Sequence, residues 1–262
     1  MNDRAAPKVR VTNSTLFAGN VDSACEQIVG RVRQRAGGYI CFANVHVVVL
    51  SWHDPALARA LEEAWMVCPD GAPVAWMARQ LGTSSSERIA GADLMARLFE
   101  VGQTEGLRHF LFGSTPDVIE HLEKALRAKY RKAEIAGCLS PGVIATEDQR
   151  PAEAIERINS VSADVVWCGL GAPKQELWMH RNAHLLVPSI VIGVGAAFDF
   201  HAGRKRRAPV WMQRTGLEWA HRLASEPRRL AGRYVRTNSE FVLRAGLEII
   251  GRKGRGRARA HS

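Results

Sequence analysis

The chain has 262 residues, 46% of them hydrophobic, and a formal net charge of +10. That size buries one sizeable α/β core with an appendage and falls short of two full domains. The five cysteines are odd in number and form no C-x-x-C, which excludes a disulfide framework or a thiolate zinc site and points to a reducing compartment; no run approaches the roughly 18 apolar residues of a membrane span, and residues 1–12 lack the apolar stretch of a signal peptide.

The body alternates strand-like and helix-like segments. After the Gly37-Gly38 break, residues 39–43 read as a buried strand. Asp54-Pro55 supplies an N-cap and a proline at the first helical position, opening a helix to Glu63. A strand at 65–68, a helix at 91–105 and a strand at 108–112 follow. Ser114-Thr-Pro-Asp caps a helix to Tyr130. Next come a strand at 135–138, a helix around 147–159, a strand at 164–168, a helix at 173–182 and a short apolar strand at 189–194. Short strands separated by helices require crossover connections. The expected fold class is therefore α/β: a Rossmann-like, mostly parallel sheet with helices on both faces. In such folds ligands collect beyond the carboxyl ends of the strands.

Beyond Gly203 the character changes, so the expected division is an α/β catalytic core over 1–203 and a basic helical appendage over 204–262. The appendage holds 16 Lys/Arg against four acids, while the rest holds 20 against 22. Such a segment seeks polyanions, whether nucleic acid, anionic lipid or substrate phosphates. One helix is expected at about 209–225, carrying Trp211, Leu217, Trp219 and Leu223, with Pro227 breaking it. A second, at about 239–250, places Val242, Leu243, Leu247, Ile249 and Ile250 largely on one side and leads into an Arg/Gly-rich end.

Four polar clusters follow strands. They are Asn44 with His46, Pro69-Asp70-Gly71, Gly169-Leu-Gly171-Ala-Pro-Lys174-Gln175-Glu176, and Gly193-Val-Gly-Ala-Ala-Phe-Asp199-Phe. Asp70, at the exit of an apolar strand, reads either as a general base or as the N-cap of a helix over 73–80; spacing does not choose. Gly169 and Gly171 can bring backbone amides to a phosphate, but the third glycine of a dinucleotide fingerprint is missing. Gln175 and Glu176 fall in the first turn of a helix, where the dipole favours Glu in any case. Asp199 either holds a ribose hydroxyl or caps a turn. Arg88 either meets an anion or is solvated near Asp93, and His46 reads as a ligand or as a structural histidine.

There is no G-x-x-x-x-G-K-[ST], no H-E-x-x-H and no G-x-S-x-G. No D-x-D follows a strand, so the usual metal clamp on a sugar diphosphate has no visible ligands. Leaving-group charge then falls to helix N-termini and to the cations at the start of the appendage, among them Arg204, Lys205, Arg206, Arg207, Arg214 and Arg222.

Taken in order, these clusters resemble the WecG/TagA/CpsF glycosyltransferase family (glycosyltransferase family twenty-six), over roughly residues 39–236. The resemblance rests on Pro69-Asp-Gly71, Arg88-x-x-Gly91-x-Asp93, Gly171-Ala-Pro-Lys-Gln-Glu176 and Gly193-Val-Gly-Ala-Ala-Phe-Asp-Phe200 with Ala202-Gly203. Arg207-Ala-Pro-x-Trp211, Gly216-Leu-Glu-Trp219, Arg222-Leu223 and Glu226-Pro227-x-Arg229 complete it. It implies an inverting, metal-independent transferase with no cofactor, moving a sugar from a UDP-sugar onto a polyprenyl-diphosphate-linked acceptor. The products would be cell-surface polymers such as exopolysaccharide, teichoic acid or common antigen.

The resemblance further implies Asp70 as base and Asn44 and Arg88 in the donor or acceptor pocket. Gln175 would sit near the nucleotide and Asp199 on the ribose. His46, Asp93, Gly169, Gly171, Lys174, Glu176, Arg207, Arg214, Arg222 and Arg229 are further candidate substrate contacts. The appendage would close over the diphosphate and hold the enzyme on the anionic inner face of the cell membrane, with a homo-oligomer possible. Phe42 stands where many relatives have Thr, and Asn44-Val-His46 replaces Asn-Ala, which leaves N-acetylmannosaminyl, N-acetylmannosaminuronosyl and glucosyl donors open. Two rival readings explain less. A nucleic-acid-binding protein would use the basic end and leave the strand-end clusters idle. A nucleotide-dependent oxidoreductase would need the missing glycine.

Overall fold

In the computed structural model the described residues are 8–11, 14–81, 86–141 and 151–259; of Pro151, Arg214, Arg229, Arg233 and residues 251–259 the backbone alone is described. The chain opens with an antiparallel ribbon of β1 (Lys8–Val11) and β2 (Ser14–Phe17), then α1 (Val21–Arg33). Next are β3 (Gly38–Ala43), α2 (Val45–His53), α3 (Pro55–Glu62), β4 (Met66–Pro69), α4 (Ala72–Leu81) and α5 (Gly91–Glu105). β5 (Arg108–Gly113), α6 (Pro116–Lys129), β6 (Glu134–Leu139), α7 (Pro151–Ser160) and β7 (Val165–Gly169) follow. The core ends with α8 (Lys174–Asn182), a 3₁₀ turn (Ala183–Leu186), β8 (Ile190–Gly193) and the short α9 (Ala197–His201). Part of the helix expected around 147–159 lies outside the described residues.

β3 to β8 form one six-stranded sheet in the order β4-β3-β8-β7-β5-β6, and every pairing is parallel. The strands are apolar throughout because both faces are covered. On one face Ile28 of α1, Leu94 and Leu98 of α5, Leu122 of α6 and Phe198 of α9 pack together. On the other, Val48 of α2, Leu57 of α3, Ile158 of α7 and Met179 of α8 join Val11 and Leu16 of the ribbon. Local signals set the helix starts. Asp54 accepts from the amides of Ala56 and Leu57 at 2.9 and 3.2 Å ahead of Pro55, and Thr115 caps α6 ahead of Pro116.

The sheet is the α/β class that the sequence announces, and the helical C-terminal segment is present. Its internal layout differs from expectation. The single helix expected at 209–225 is two, α10 (Val210–Arg214) and α11 (Glu218–Ser225), because Gly216 sits between them with φ +77°. A Cβ there would meet the Ala72 side chain at 2.6 Å, so the turn also needs glycine to close on α4. The break expected at Pro227 is there, with α11 ending at Ser225, but Pro227 also starts the next helix. It occupies the first position of α12 (Pro227–Arg259), where a missing N–H costs nothing, and the helix expected at 239–250 is the middle of this longer one.

α12 lies on α2 and α4, with Leu230, Thr237, Phe241 and Ala245 buried and Phe241 and Ala245 joining the core beneath α2. Phe241 stacks on Trp52 at 6.3 Å between ring centroids, and the Arg244 guanidinium covers the Trp52 ring at 4.4 Å. Val235, Val242, Leu243, Leu247 and Ile250 line the opposite, exposed side. No helix among the described residues is long and apolar enough to cross a membrane.

Candidate active site

A cavity of about 440 Å³ opens beyond the carboxyl ends of β3, β4, β7 and β8. Parallel strands deliver their last residues to one edge, so the loops after them converge there. Asn44 caps α2 by accepting from the Val47 amide at 3.1 Å, and it lines the cavity beside His46. Asp70 follows β4, its amide donating to Ala43 O at 2.9 Å. The cap position ahead of α4 belongs to Gly71, whose carbonyl accepts from the Ala75 amide, while the Asp70 side chain lines the cavity. Burial raises the Asp70 carboxyl above its ordinary value; Arg88 pulls the other way, Glu218 pushes it further up, and Arg222 and Arg207 lower it.

Gly169 and Gly193 allow the β7 and β8 loops to pack closely. A Cβ on Gly169 would meet the Phe198 ring at 2.5 Å, and one on Gly193 would meet Met179 at 2.5 Å. Gln175 ties the two loops together. Its Oε1 accepts from the Gly171 amide at 3.2 Å, and its Nε2 donates to Gly193 O and to Glu176 Oε1, both at 2.9 Å. Glu176 is fully buried, and burial pushes its carboxyl up to about 7, against partial relief from the Gln175 amide and its own backbone N–H. Asp199 lines the far side, with Lys205 Nζ 3.6 Å away.

The appendage supplies the rest of the wall: Lys205, Arg207, Glu218, Trp219 and Arg222, with Tyr234, Thr237 and Asn238 from α12. Arg88 NH1 bonds Glu218 Oε2 at 2.6 Å and its NH2 lies 3.6 Å from Asp93. Arg207 forks onto both oxygens of Asp93 and reaches Glu218 Oε1 at 3.4 Å. Burial raises the Asp93 carboxyl, but the hydrogen bonds and charge of Arg207, with Arg88, outweigh it and leave the group below its ordinary value.

Asn44, His46, Asp70, Arg88, Gly169, Gly171, Gln175, Glu176, Asp199, Arg207 and Arg222 thus meet at one cavity. Asp93 stands behind it as the partner of Arg207, and Lys174 is exposed outside its wall. The Arg214 and Arg229 side chains lie outside the described residues. Arg204 turns away to Asp117. Glu218 was missed in the sequence, although it stands inside the Gly216-Leu-Glu-Trp219 motif; Tyr234, Thr237 and Asn238 carried no motif signal. Among the described residues, no group of three or more His, Cys, Asp or Glu side chains is placed to hold a metal ion.

Glu176 makes the fold sensitive to pH. Between pH 4.5 and about 7 the unfolded chain releases the Glu176 proton while the folded chain keeps it, so stability falls as pH rises through that window. Glu176→Gln removes the titration. The stability of the variant relative to the wild type should therefore grow by about 3 kcal/mol between pH 4.5 and pH 8 in urea unfolding. Parallel curves for the two proteins would contradict the assignment.

A family model described as the glycosyl transferase WecG/TagA/CpsF family matches residues 9–255. Two curated relatives, from Bacillus spizizenii (strain W23) and Bacillus subtilis (strain 168), are both N-acetylglucosaminyldiphosphoundecaprenol N-acetyl-beta-D-mannosaminyltransferases. Each is 32% identical over 196 residues, covering 75% of this chain and 74% and 75% of the respective relative. With most of its length matched, the chain belongs to the WecG/TagA/CpsF family and is a glycosyltransferase.

Proposed function

We propose that the protein moves a sugar from a UDP-sugar to the sugar of a polyprenyl-diphosphate-linked acceptor, with inversion and without a metal. The carrying observation is one cavity that holds the Asp70 carboxyl together with Arg88, Arg207, Arg222 and Lys205. The relatives' names specify N-acetylglucosaminyl-diphosphoundecaprenol as acceptor and N-acetylmannosamine as the transferred sugar, and both are the first candidates here. Asp70 takes the proton of the acceptor hydroxyl as its oxygen bonds the anomeric carbon. The bond from that carbon to the diphosphate breaks, and UDP leaves with the electron pair. A raised carboxyl pKa suits a base of this kind, since it brings proton affinity closer to neutral pH. The arginines meet the charge developing on the diphosphate. Such products would feed cell-envelope polymers.

The acceptor's lipid tail requires the cavity to work at a membrane surface. The apolar side of α12 formed by Val242, Leu243, Leu247 and Ile250 faces outward, and the appendage also exposes Val210, Trp211 and Trp219. Together with the basic excess of residues 204–262, that surface suits an anionic bilayer, as an interfacial helix and a polybasic segment supply two weak anchors. Phe241 and Ala245 face inward, so shortening the chain at Asn238 would damage the core; surface substitutions are the cleaner probe.

Three outcomes follow. Asp70→Asn should lower turnover by about 10²–10⁴-fold while UDP still binds; near-normal turnover at saturating acceptor removes Asp70 from the chemistry. EDTA should leave the rate unchanged, whereas loss restored by magnesium or manganese would mean a metal shares the diphosphate. Replacing Val242, Leu243, Leu247 and Ile250 together by Ser should abolish salt-sensitive co-sedimentation with anionic vesicles without lowering the thermal midpoint. Undiminished sedimentation would put the membrane contact elsewhere.

A further inference from the structure

Glu176 is a carboxyl in the wall of the cavity whose two oxygens have different surroundings. Oε1 accepts from Gln175 Nε2 at 2.9 Å, while Oε2 is buried with no hydrogen-bond partner among the described residues. Gln175 has no N–H left for it. Its Oε1 receives the Gly171 amide, and its two N–H groups go to Gly193 O and Glu176 Oε1. The position of the Gln175 amide is thereby fixed, and with it the Glu176 oxygen that serves as acceptor. The group sits at the join of the β7 and β8 loops and lines the cavity there.

We propose that Glu176 is a donor-recognition residue: held as a neutral carboxylic acid, it presents its Oε2 hydroxyl as a hydrogen-bond donor to an oxygen of the UDP portion of the sugar donor. The assignment rests on the UDP-sugar reading above and adds a named contact and a protonation state to it. A neutral carboxyl has one acceptor oxygen and one hydroxyl, which matches the observed division, with Gln175 on Oε1 and nothing on Oε2. An ionised carboxylate would bury a second charged oxygen without a partner, a far costlier arrangement.

The groups facing Glu176 do not oppose neutrality. They are the thiols of Cys41 on β3 and Cys168 on β7, both kept protonated by burial, and the amide of Gln175 on α8. His46 at the start of α2 lines the same cavity, and β8, from Ile190 to Gly193, has no titratable side chain. No cation is among the causes that set the Glu176 carboxyl, whose rise to about 7 comes first from burial. Above that pH the hydroxyl is lost and a negative charge stands where an anionic nucleotide has to enter. Glu176 thus couples donor affinity to pH through a single proton.

The test is titration calorimetry with UDP as probe from pH 6 to pH 8, on wild type, Glu176→Gln and Glu176→Leu. UDP's own terminal phosphate titrates in this range, so the difference between proteins is what is read. Gln keeps an acceptor and a donor but cannot ionise. Its affinity should match wild type within about threefold at pH 6 and exceed it by about tenfold at pH 8. Leu keeps the bulk and loses the donor, and should bind UDP roughly tenfold more weakly at pH 6. Thermal unfolding checks that each variant is folded; if Leu is not tolerated, the Gln comparison alone decides. The proposal is overturned if Gln follows the wild-type pH curve. It is equally overturned if Leu binds as well as wild type at pH 6, since the hydroxyl would then serve only water. A wild type that binds no UDP at any pH fails differently, removing the UDP-donor reading and this contact with it.

Discussion

Two arginines and two carboxylates at the seam between sheet and appendage are the constraint on which the site depends. Arg88 comes from the loop before α5, Asp93 from that helix, Arg207 from the segment after α9 and Glu218 from α11. Each partly buried charge has two opposite partners, so the four balance, and removing any one leaves the other three with an uncompensated charge. The pairings reach across 130 and 114 residues of chain. They fix the appendage to the core at the mouth of the cavity, and they also point both guanidinium groups toward the place where the diphosphate is proposed to lie. Because Glu218 and Asp93 balance Arg88 and Arg207, an incoming diphosphate has to compete for the same donors.

This seam rests on a sheet that delivers its loops to one edge. Gly169 and Gly193 leave room for Phe198 and Met179 to pack on the ends of β7 and β8, and Gln175 links the two loops. α12 completes the wall from outside. Its buried side, through Phe241 and Trp52, is anchored on α2, the helix that Asn44 caps. The appendage is therefore continuous with the core packing, and its exposed apolar side remains available for a surface.

Much of this was legible in the sequence, for identifiable reasons. β3, β5, β7 and β8 are short apolar runs bounded by glycine, proline or polar residues, and such runs are fully buried parallel strands. The glycines and carboxylates at their ends located the cavity. α2 is not legible, because Val45 and Val47 to Val49 form a β-branched run without helical period, and burial decides its state. α1 is absent from the elements expected above, although Asn20 and Ser23 form a capping box at its start. The full span of α12 was hidden by Pro227, which terminates or begins a helix according to context. Glu218 is an ordinary helix-start acid in sequence, and only the fold brings Arg88 and Arg207 to it.

The most direct test of the account is where the diphosphate of UDP binds in a crystal of the complex. Phosphate oxygens are expected within salt-bridge distance, about 4 Å, of Arg207 or Arg88, with the uridine over the Gly169–Gly171 loop and the Asp70 carboxyl left open to an acceptor. Phosphate oxygens outside the cavity, with the Arg88–Glu218 and Arg207–Asp93 pairs undisturbed and no arginine in contact, would contradict it.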